Sequence, residues 1–411
     1  MPAGAGRKPG AAPNALLRGA MLSTYAARYR RQLDESVIPF WLTHGLDRAH
    51  GGSFTCLDRD GSVYDTKKYI WLQGRAIWMF ARLYNEYEAR QEYLDAATLV
   101  CEYVRRYARD ERGRYYFSLT QQGQPFFFQR KPYAAVFVML GLLEYARATG
   151  DAAIKTEAIE LFWAIERWIA DPSLLDRPVL AGNPPVSNLA NVMVLASMAI
   201  ELARFDDDPR YLDVIRRAME GVVKHYDAGR RILIENVALD GRDMQQWPEG
   251  RLFNPGHAIE VAWFLLHMLD FVPSAFHEQL ALDTLEGSLE YGWDAEYGGL
   301  YYFMDIAGRP TLQLEANMKL WWPHTEAIYA LVLAAMRTGE QRWLNWLERV
   351  DAYSFEHFAD PDHGEWFGYL DRSGRPALMS KGGNYKGFFH LPRALLFSIQ
   401  AIERGAKIAP A

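Results

Sequence analysis

Cysteine is scarce. Cys56 and Cys101 are the only two in 411 residues, which excludes a disulfide framework and a cysteine-rich zinc site. Long apolar runs are missing as well: the longest, Ala327 to Met336, is far too short to span a bilayer. No charge sign dominates. The 45 basic and 51 acidic residues leave a net charge of −6 spread along the chain, no footprint for nucleic acid or an anionic membrane. There is no HExxH zinc helix, no Gly-x-Ser-x-Gly elbow, and no glycine loop followed by Lys-Ser/Thr for phosphate. Aromatic side chains, by contrast, are plentiful, with 13 Trp, 23 Tyr and 21 Phe in a chain that is 50% apolar. That suffices for a large core, and the expectation is a reduced, cytoplasmic globular protein.

Residues 1–20 are rich in Ala, Gly and Pro and read as a loose tail ahead of a catalytic domain over 21–411. Arg18 interrupts any secretory core, while the lack of acidic residues before Asp34 leaves a transit peptide open. A repeat then runs through the chain. Asp47-Arg-Ala-His-Gly51-Gly52-Ser-Phe54 closing at Gly61 returns as Asp294 to Tyr301 closing at Gly308, and again as Asp360 to Phe367 closing at Gly374. Weaker copies open at Asp110 and Asp227, and a degenerate one at Asp171. Two glycine turns around alternating aromatics read as a short β-hairpin. Between the hairpins, apolar residues recur at helical spacing in pairs of segments, and Leu391–Ile402 is left to pair with Tyr25–Trp41. Six such pairs predict an all-α fold, a single (α/α)6 barrel with short hairpins at one end; an open solenoid is the competing architecture.

In a ring of helix pairs the funnel at one end is the natural pocket, so candidate groups cluster at helix starts. Asn254-Pro255-Gly256-His257 opens a helix with Glu260 one turn on. The positive helix end is expected to disfavour a charged His257 and keep it available as a base. Trp321-Trp322-Pro323-His324-Thr-Glu326 opens another, and tryptophans suit the C–H faces of a sugar. Lys381-Gly-Gly leads to His390 and Arg393 at the last helix. Lys67 to Arg75 places Arg75 on an apolar pattern, costly to bury unless a ligand faces it. Each also has a purely structural reading as cap or core. A glycosidase using two of Glu260, Glu326 and Glu365 is the serious rival, and a metal site has no supporting cluster.

Taken in order, Lys68-Tyr-Ile-Trp-Leu-Gln-Gly-Arg75, Pro255-Gly-His-Ala-Ile-Glu260, Met318 to Ala327, Glu365-Trp-Phe-Gly-Tyr369, Lys381-Gly-Gly and Phe389-His-Leu-Pro-Arg393 resemble the N-acylglucosamine 2-epimerase family, also called renin-binding proteins. The likeness covers nearly everything after the tail. Relatives acting on cellobiose, mannose or sulfoquinovose share the fold and the histidine pair. The resemblance implies interconversion of N-acetylglucosamine and N-acetylmannosamine at C2, with Arg75, His257, Glu326 and His390 as essential residues. Tyr69, Trp71, Asn191, Glu260, Trp322, His324, Lys381 and Arg393 complete the set expected to contact substrate, with no metal ligand. One departure is Asn191-Val-Met193, where the epimerase branch carries a Pro near Asn191 and the disaccharide branch a His. The family also implies a homodimer working on a monosaccharide, with no required cofactor and ATP as an effector in some members. The renin-binding name keeps a non-enzymatic interaction protein in view.

Overall fold

The computed structural model describes residues 11–178, 180–182 and 184–408. In chain order its helices are α1 (Ala11–Gln32), α2 (Ile38–His44), α3 (Ile70–Glu86), α4 (Gln91–Tyr107), α5 (Tyr133–Thr149) and α6 (Ala152–Ala170). They continue with α7 (Leu189–Phe205), α8 (Arg210–His225), α9 (Pro255–Met268), α10 (Ala275–Gly292), α11 (Trp321–Thr338), α12 (Gln341–His357) and α13 (His390–Ile408). A five-residue π stretch, Leu33–Val37, joins α1 to α2. Pro39 lies just beyond it. Lacking an N–H and crowding the carbonyl four residues back, a proline favours that local widening.

The odd-numbered helices from α3 to α13 form an inner ring, each packed on the next. Closure comes from α13 returning to α3: Trp78 meets Phe397 edge-on at 6.0 Å, and the Gln400 amide donates to the Glu86 carbonyl. The solenoid alternative is thereby excluded. Burial follows position. Every residue of α9 except His257 is buried, as is α11 from Trp321 to Val332, whereas the outer helices bury one stripe only. At one crossing glycine is obligatory, because a Cβ on Gly74 of α3 would lie 2.3 Å from the backbone of Phe137 in α5. No helix among the described residues is long and apolar enough to cross a membrane.

Short antiparallel strands sit where the inner helices begin. Cys56–Leu57 pairs with Val63–Asp65, and Ser118–Leu119 with Pro125–Phe127. Tyr226–Asp227 pairs with Ile232–Leu233, and Tyr369–Leu370 with Pro376–Leu378. The expected hairpin after Asp171 is replaced by a 3-10 turn, Pro172–Leu175, and by a longer-range pairing of Val186–Asn188 with Asn236–Ala238. Residues 11–20, expected as tail, are the first turns of α1; Ala-rich sequence has high helix propensity. Residues 1–10, the rest of that expected tail, lie outside the described residues.

The repeat has a side-chain signature that composition did not reveal. Each of the three strong copies buries a lysine on its opening aspartate: Lys68 on Asp47 at 2.9 Å, Lys319 on Asp294 at 3.0 Å, and Lys381 on Asp360 at 2.7 Å. In each, the same ammonium lies over the aromatic ring seven residues after the aspartate, 3.9 Å from Phe54, 3.8 Å from Tyr301 and 4.0 Å from Phe367. The other carboxylate oxygen holds turn N–H groups such as those of His50 and Glu296. In the third copy, Glu365 takes the left-handed conformation (φ 54°) that Gly52 and Gly299 adopt in the other two. Its side chain then accepts from Trp41 Nε1 (2.7 Å) and Lys386 Nζ (2.8 Å).

Candidate active site

A cavity of about 530 Å³ opens at the N-terminal end of the inner ring. Its walls include Trp71 and Arg75 from α3, His257 and Glu260 from α9, Trp321 and Trp322 from α11, and His390 from α13. Inner-helix starts therefore supply the floor, as chain pattern predicts. Trp322 lies between the two histidines, its ring centroid 5.2 Å from that of His257 and 5.7 Å from that of His390. Gly256 makes this possible: a Cβ there would meet Trp322 at 2.6 Å. Asn254 caps α9 by accepting the N–H of His257 at 3.0 Å.

Both imidazoles are oriented alike. Nδ1 of His390 is 2.7 Å from Glu326 Oε1, and Nδ1 of His257 is 2.9 Å from Glu235 Oε1. An ionised carboxylate can only accept, so each Nδ1 is the donor. Each Nε2 is left without a protein partner among the described residues. The surroundings differ, however. Burial, reinforced by Arg75 and Arg393, drives His390 well below the ordinary imidazole value. Burial also disfavours charge on His257, but the Glu235 carboxylate outweighs it and the net direction is upward. The expectation that the helix end disfavours charge on His257 is thus not met: the adjacent carboxylate outweighs a partial helix charge, and the net direction favours the charged form.

Arg75 is 7% exposed and makes no hydrogen bond or ion pair among the described residues. Its guanidinium instead lies among the rings of Phe137, Trp71 and Phe389, at 3.9, 4.4 and 4.8 Å from their centroids. Burial pulls it down to about 9 against the attraction of Glu260, so it stays charged at neutral pH. A buried cation held by aromatic faces and facing a cavity is poised for a developing anion. Below it, Nη2 of Arg393 donates to both Glu260 (2.7 Å) and Glu326 (2.6 Å). Glu326 Oε2 also accepts the Trp263 indole N–H at 2.9 Å.

This lattice decides two alternatives. Ligand atoms of Glu260, Glu326 and His390 lie within 4.8 Å of one another, close enough to hold a metal ion. A cation, Arg393, already joins the two carboxylates, and His390 Nδ1 is committed to Glu326, so the donor set does not fit. Neither does it fit a glycosidase pair. Those carboxylates stand about 5–9.5 Å apart around a sugar, whereas here both are tied to one guanidinium and only Glu260 reaches the cavity. Glu365 is buried in its Trp41 and Lys386 contacts.

Other expected contacts lie elsewhere. His324 is buried with both nitrogens engaged, Nδ1 donating to the Leu320 carbonyl (2.6 Å) and Nε2 accepting the Leu300 N–H (2.9 Å). Burial drives it to about 3, and it locks the turn. Lys381 is the repeat lysine on Asp360. Tyr69 packs against Phe117 at 5.7 Å, away from the cavity wall. Asn191, the third residue of α7, accepts from Tyr133 Oη at 3.1 Å and is likewise off the wall. Arg393 and Glu326 act from behind it.

A family model described as N-acylglucosamine 2-epimerase (GlcNAc 2-epimerase) matches residues 52–394. The chain belongs to the N-acylglucosamine 2-epimerase family. It is 39% identical over 412 residues to the N-acylglucosamine 2-epimerase of Bos taurus, covering 95% of this chain and 94% of that one. To the N-acylglucosamine 2-epimerase of Homo sapiens it is 38% identical over 382 residues, covering 91% and 89%. Among solved structures, the cellobiose 2-epimerase of Bacillus thermoamylovorans shares the fold, with a TM-score of 0.78 at 20% identity over 92% of this chain and 99% of that one.

Sequence reasoning missed several residues of this family member's site. Glu235 follows the apolar Ile232-Leu-Ile, and a lone acid at the end of such a run was the available signal. Gln129, Lys131, Tyr302, Gln313, Glu315, Tyr369 and Tyr385 line the cavity from hairpins and loops, where no helical spacing points inward.

Proposed function

We propose that the protein interconverts N-acetyl-D-glucosamine and N-acetyl-D-mannosamine by inverting C2 of the ring-opened sugar. The observation that carries this reading is the pair of imidazoles flanking Trp322, each oriented by a carboxylate and each with a free Nε2, in one cavity with an unpaired arginine. The names of its relatives support the substrate class.

Inverting C2 without redox chemistry means removing its proton on one face and returning one on the other. Only the open aldehyde acidifies that position. Even then the proton lies roughly a dozen pKa units above imidazole, about 16–18 kcal/mol. A single base does not close that gap. One histidine takes the proton while the C–H electrons form the C1–C2 double bond and C1 oxygen becomes an oxyanion facing Arg75. The other histidine then protonates the opposite face as the electrons return to C1=O. Trp322 supplies an apolar face on which the sugar carbons slide between the two rings. Glu326 and Arg393 hold His390, and Glu260 is available to sugar hydroxyls.

The same reading carries a cytoplasmic homodimer with no required cofactor, and ATP as an effector to be tested by adding it to the assay. NMR of N-acetylglucosamine with the protein in deuterated water is the decisive experiment. The expected product is N-acetylmannosamine carrying deuterium at C2. A ketose, a released reducing end, or no exchange at C2 across N-acetylhexosamines, mannose and cellobiose overturns the proposal.

A further inference from the structure

The two histidines share a geometry but not a charge environment. Glu326 has its charge met three ways, by Arg393, the Trp263 indole and His390. Glu235 is 5% exposed, and among the described residues its carboxylate has one hydrogen-bond partner, His257. Its backbone is pinned on both sides, the N–H donating to the Leu252 carbonyl and the carbonyl accepting from Leu189 N–H, each at 2.9 Å. The other ionisable groups around the pair are Glu260 on α9, the phenols of Tyr133 and Tyr302, and His225, whose Nδ1 sits on the Ile234 carbonyl and which burial holds neutral. None supplies a cation. With His257 as its one hydrogen-bond partner, the Glu235 carboxylate favours the charged form of that imidazole against the effect of burial. Around His390 burial comes first, and Arg75 and Arg393 oppose a further cation; Glu326 on Nδ1 and the nearby Glu260 favour one, but the net direction is downward.

We propose that Glu235 is a positioning residue that keeps His257 protonated in the resting enzyme, making His257 the acid and His390 the base of the first half-reaction. This rests on the two-histidine reading above. The epimer whose C2–H faces His390 meets the resting form. Nε2 of His390 takes that proton, the oxyanion forms against Arg75, and Nε2–H of His257 delivers its proton to the other face. The product leaves His390 protonated and His257 neutral beside Glu235. Before the same epimer reacts again, His390 loses its proton to water and His257 regains one. The His257 side chain, 26% exposed against 9% for His390, meets solvent more readily.

The test uses the full-length protein and Glu235→Gln and Glu235→Asp variants. Without substrate, the ring of His257, assigned by its loss in His257→Asn, is titrated by NMR. The expected midpoint lies above the ordinary value of about 6.5, falls by about one unit or more in Glu235→Gln, and is largely restored in Glu235→Asp. With substrate, the alkaline limb of the kcat/KM pH profile, which reports the free enzyme, moves down by a matching amount, while KM at the optimum changes less than about twofold. An unmoved midpoint in folded Glu235→Gln overturns the proposal, as does a moved midpoint with an unmoved pH limb. If Glu235→Gln does not fold, the wild-type titration decides alone: a His257 midpoint at or below the ordinary value of about 6.5 overturns the proposal. A shifted midpoint in a protein that turns over no N-acetylhexosamine upholds Glu235's hold on the proton and defeats the substrate reading.

Discussion

The two ends of the inner ring carry similar residue types and use them oppositely. At the C-terminal end Arg147, Arg204 and Arg337 stand in the last turns of α5, α7 and α11, where cations offset the helix dipoles. Each meets a carboxylate: Arg147 bonds Glu86 and Glu144, Arg204 bonds Glu201, and Arg337 bonds Glu278. Buried Arg82 joins Glu86, Glu144 and Glu201. A cavity of about 700 Å³ lies there too, yet Arg82, Arg204 and Arg337 on its wall are already paired in this way, and Arg404 donates to Gln400. At the N-terminal end, among the described residues, Arg75 makes no ion pair and neither Nε2 has a hydrogen-bond partner. Groups that complete one another hold the barrel; groups left incomplete await a substrate.

Breaking the incomplete end should cost activity and spare the fold. His390→Asn is expected to lower epimerisation about 10³-fold or more, while exchange of the C2 proton of one epimer through His257 persists only as rising pH makes that ring neutral; full activity in this variant removes the assignment. Arg75→Met follows, with a loss of about 10²–10³-fold in kcat from the missing oxyanion donor. Because it deletes a buried unpaired cation, its melting temperature should match or exceed wild type, and a marked drop would mean that Arg75 serves the fold.

How far these positions could be read from the chain depended on pattern. The hairpin repeat and paired helical stretches specify the ring, since spacing is a backbone property. His257, His390 and Arg75 were legible because polar residues at apolar helix starts demand a reason. His324 satisfied the same rule and belongs to the turn, for spacing does not say that Leu320 and Leu300 consume both its nitrogens. Lys381 drew notice from Gly-Gly beside it, although its partner Asp360 is far upstream. Glu235 and the loop residues of the cavity become neighbours of His257 and Trp322 only through tertiary closure.

At the complete end the comparison reverses. Arg82→Met is expected to cost about 3–5 kcal/mol of stability by stranding buried carboxylates, read by denaturant unfolding, with kcat of the folded protein unchanged. Smaller again, about 3 kcal/mol, is Lys68→Met, which removes the cation from Asp47. The least effect is on pH dependence. Hydrogen bonds and buried cations hold Asp47, Asp294 and Asp360 below the usual carboxylate range despite burial. Their stabilisation is therefore full above about pH 4 and is lost as pH falls through the depressed values. Acid unfolding of Lys68→Met should show a shallower dependence over that window than wild type.

Ring closure by α13 has a temporal side. His390 and Arg393 stand on the helix that seals the circle, whereas Arg75 stands on the first inner one and Glu326 on the neighbour to the seal. A growing chain emerging from the ribosome therefore holds an open crescent whose reactive residues do nothing together. Assembly of the catalytic machinery and completion of the architecture are one event, so a molecule caught half-built is chemically silent.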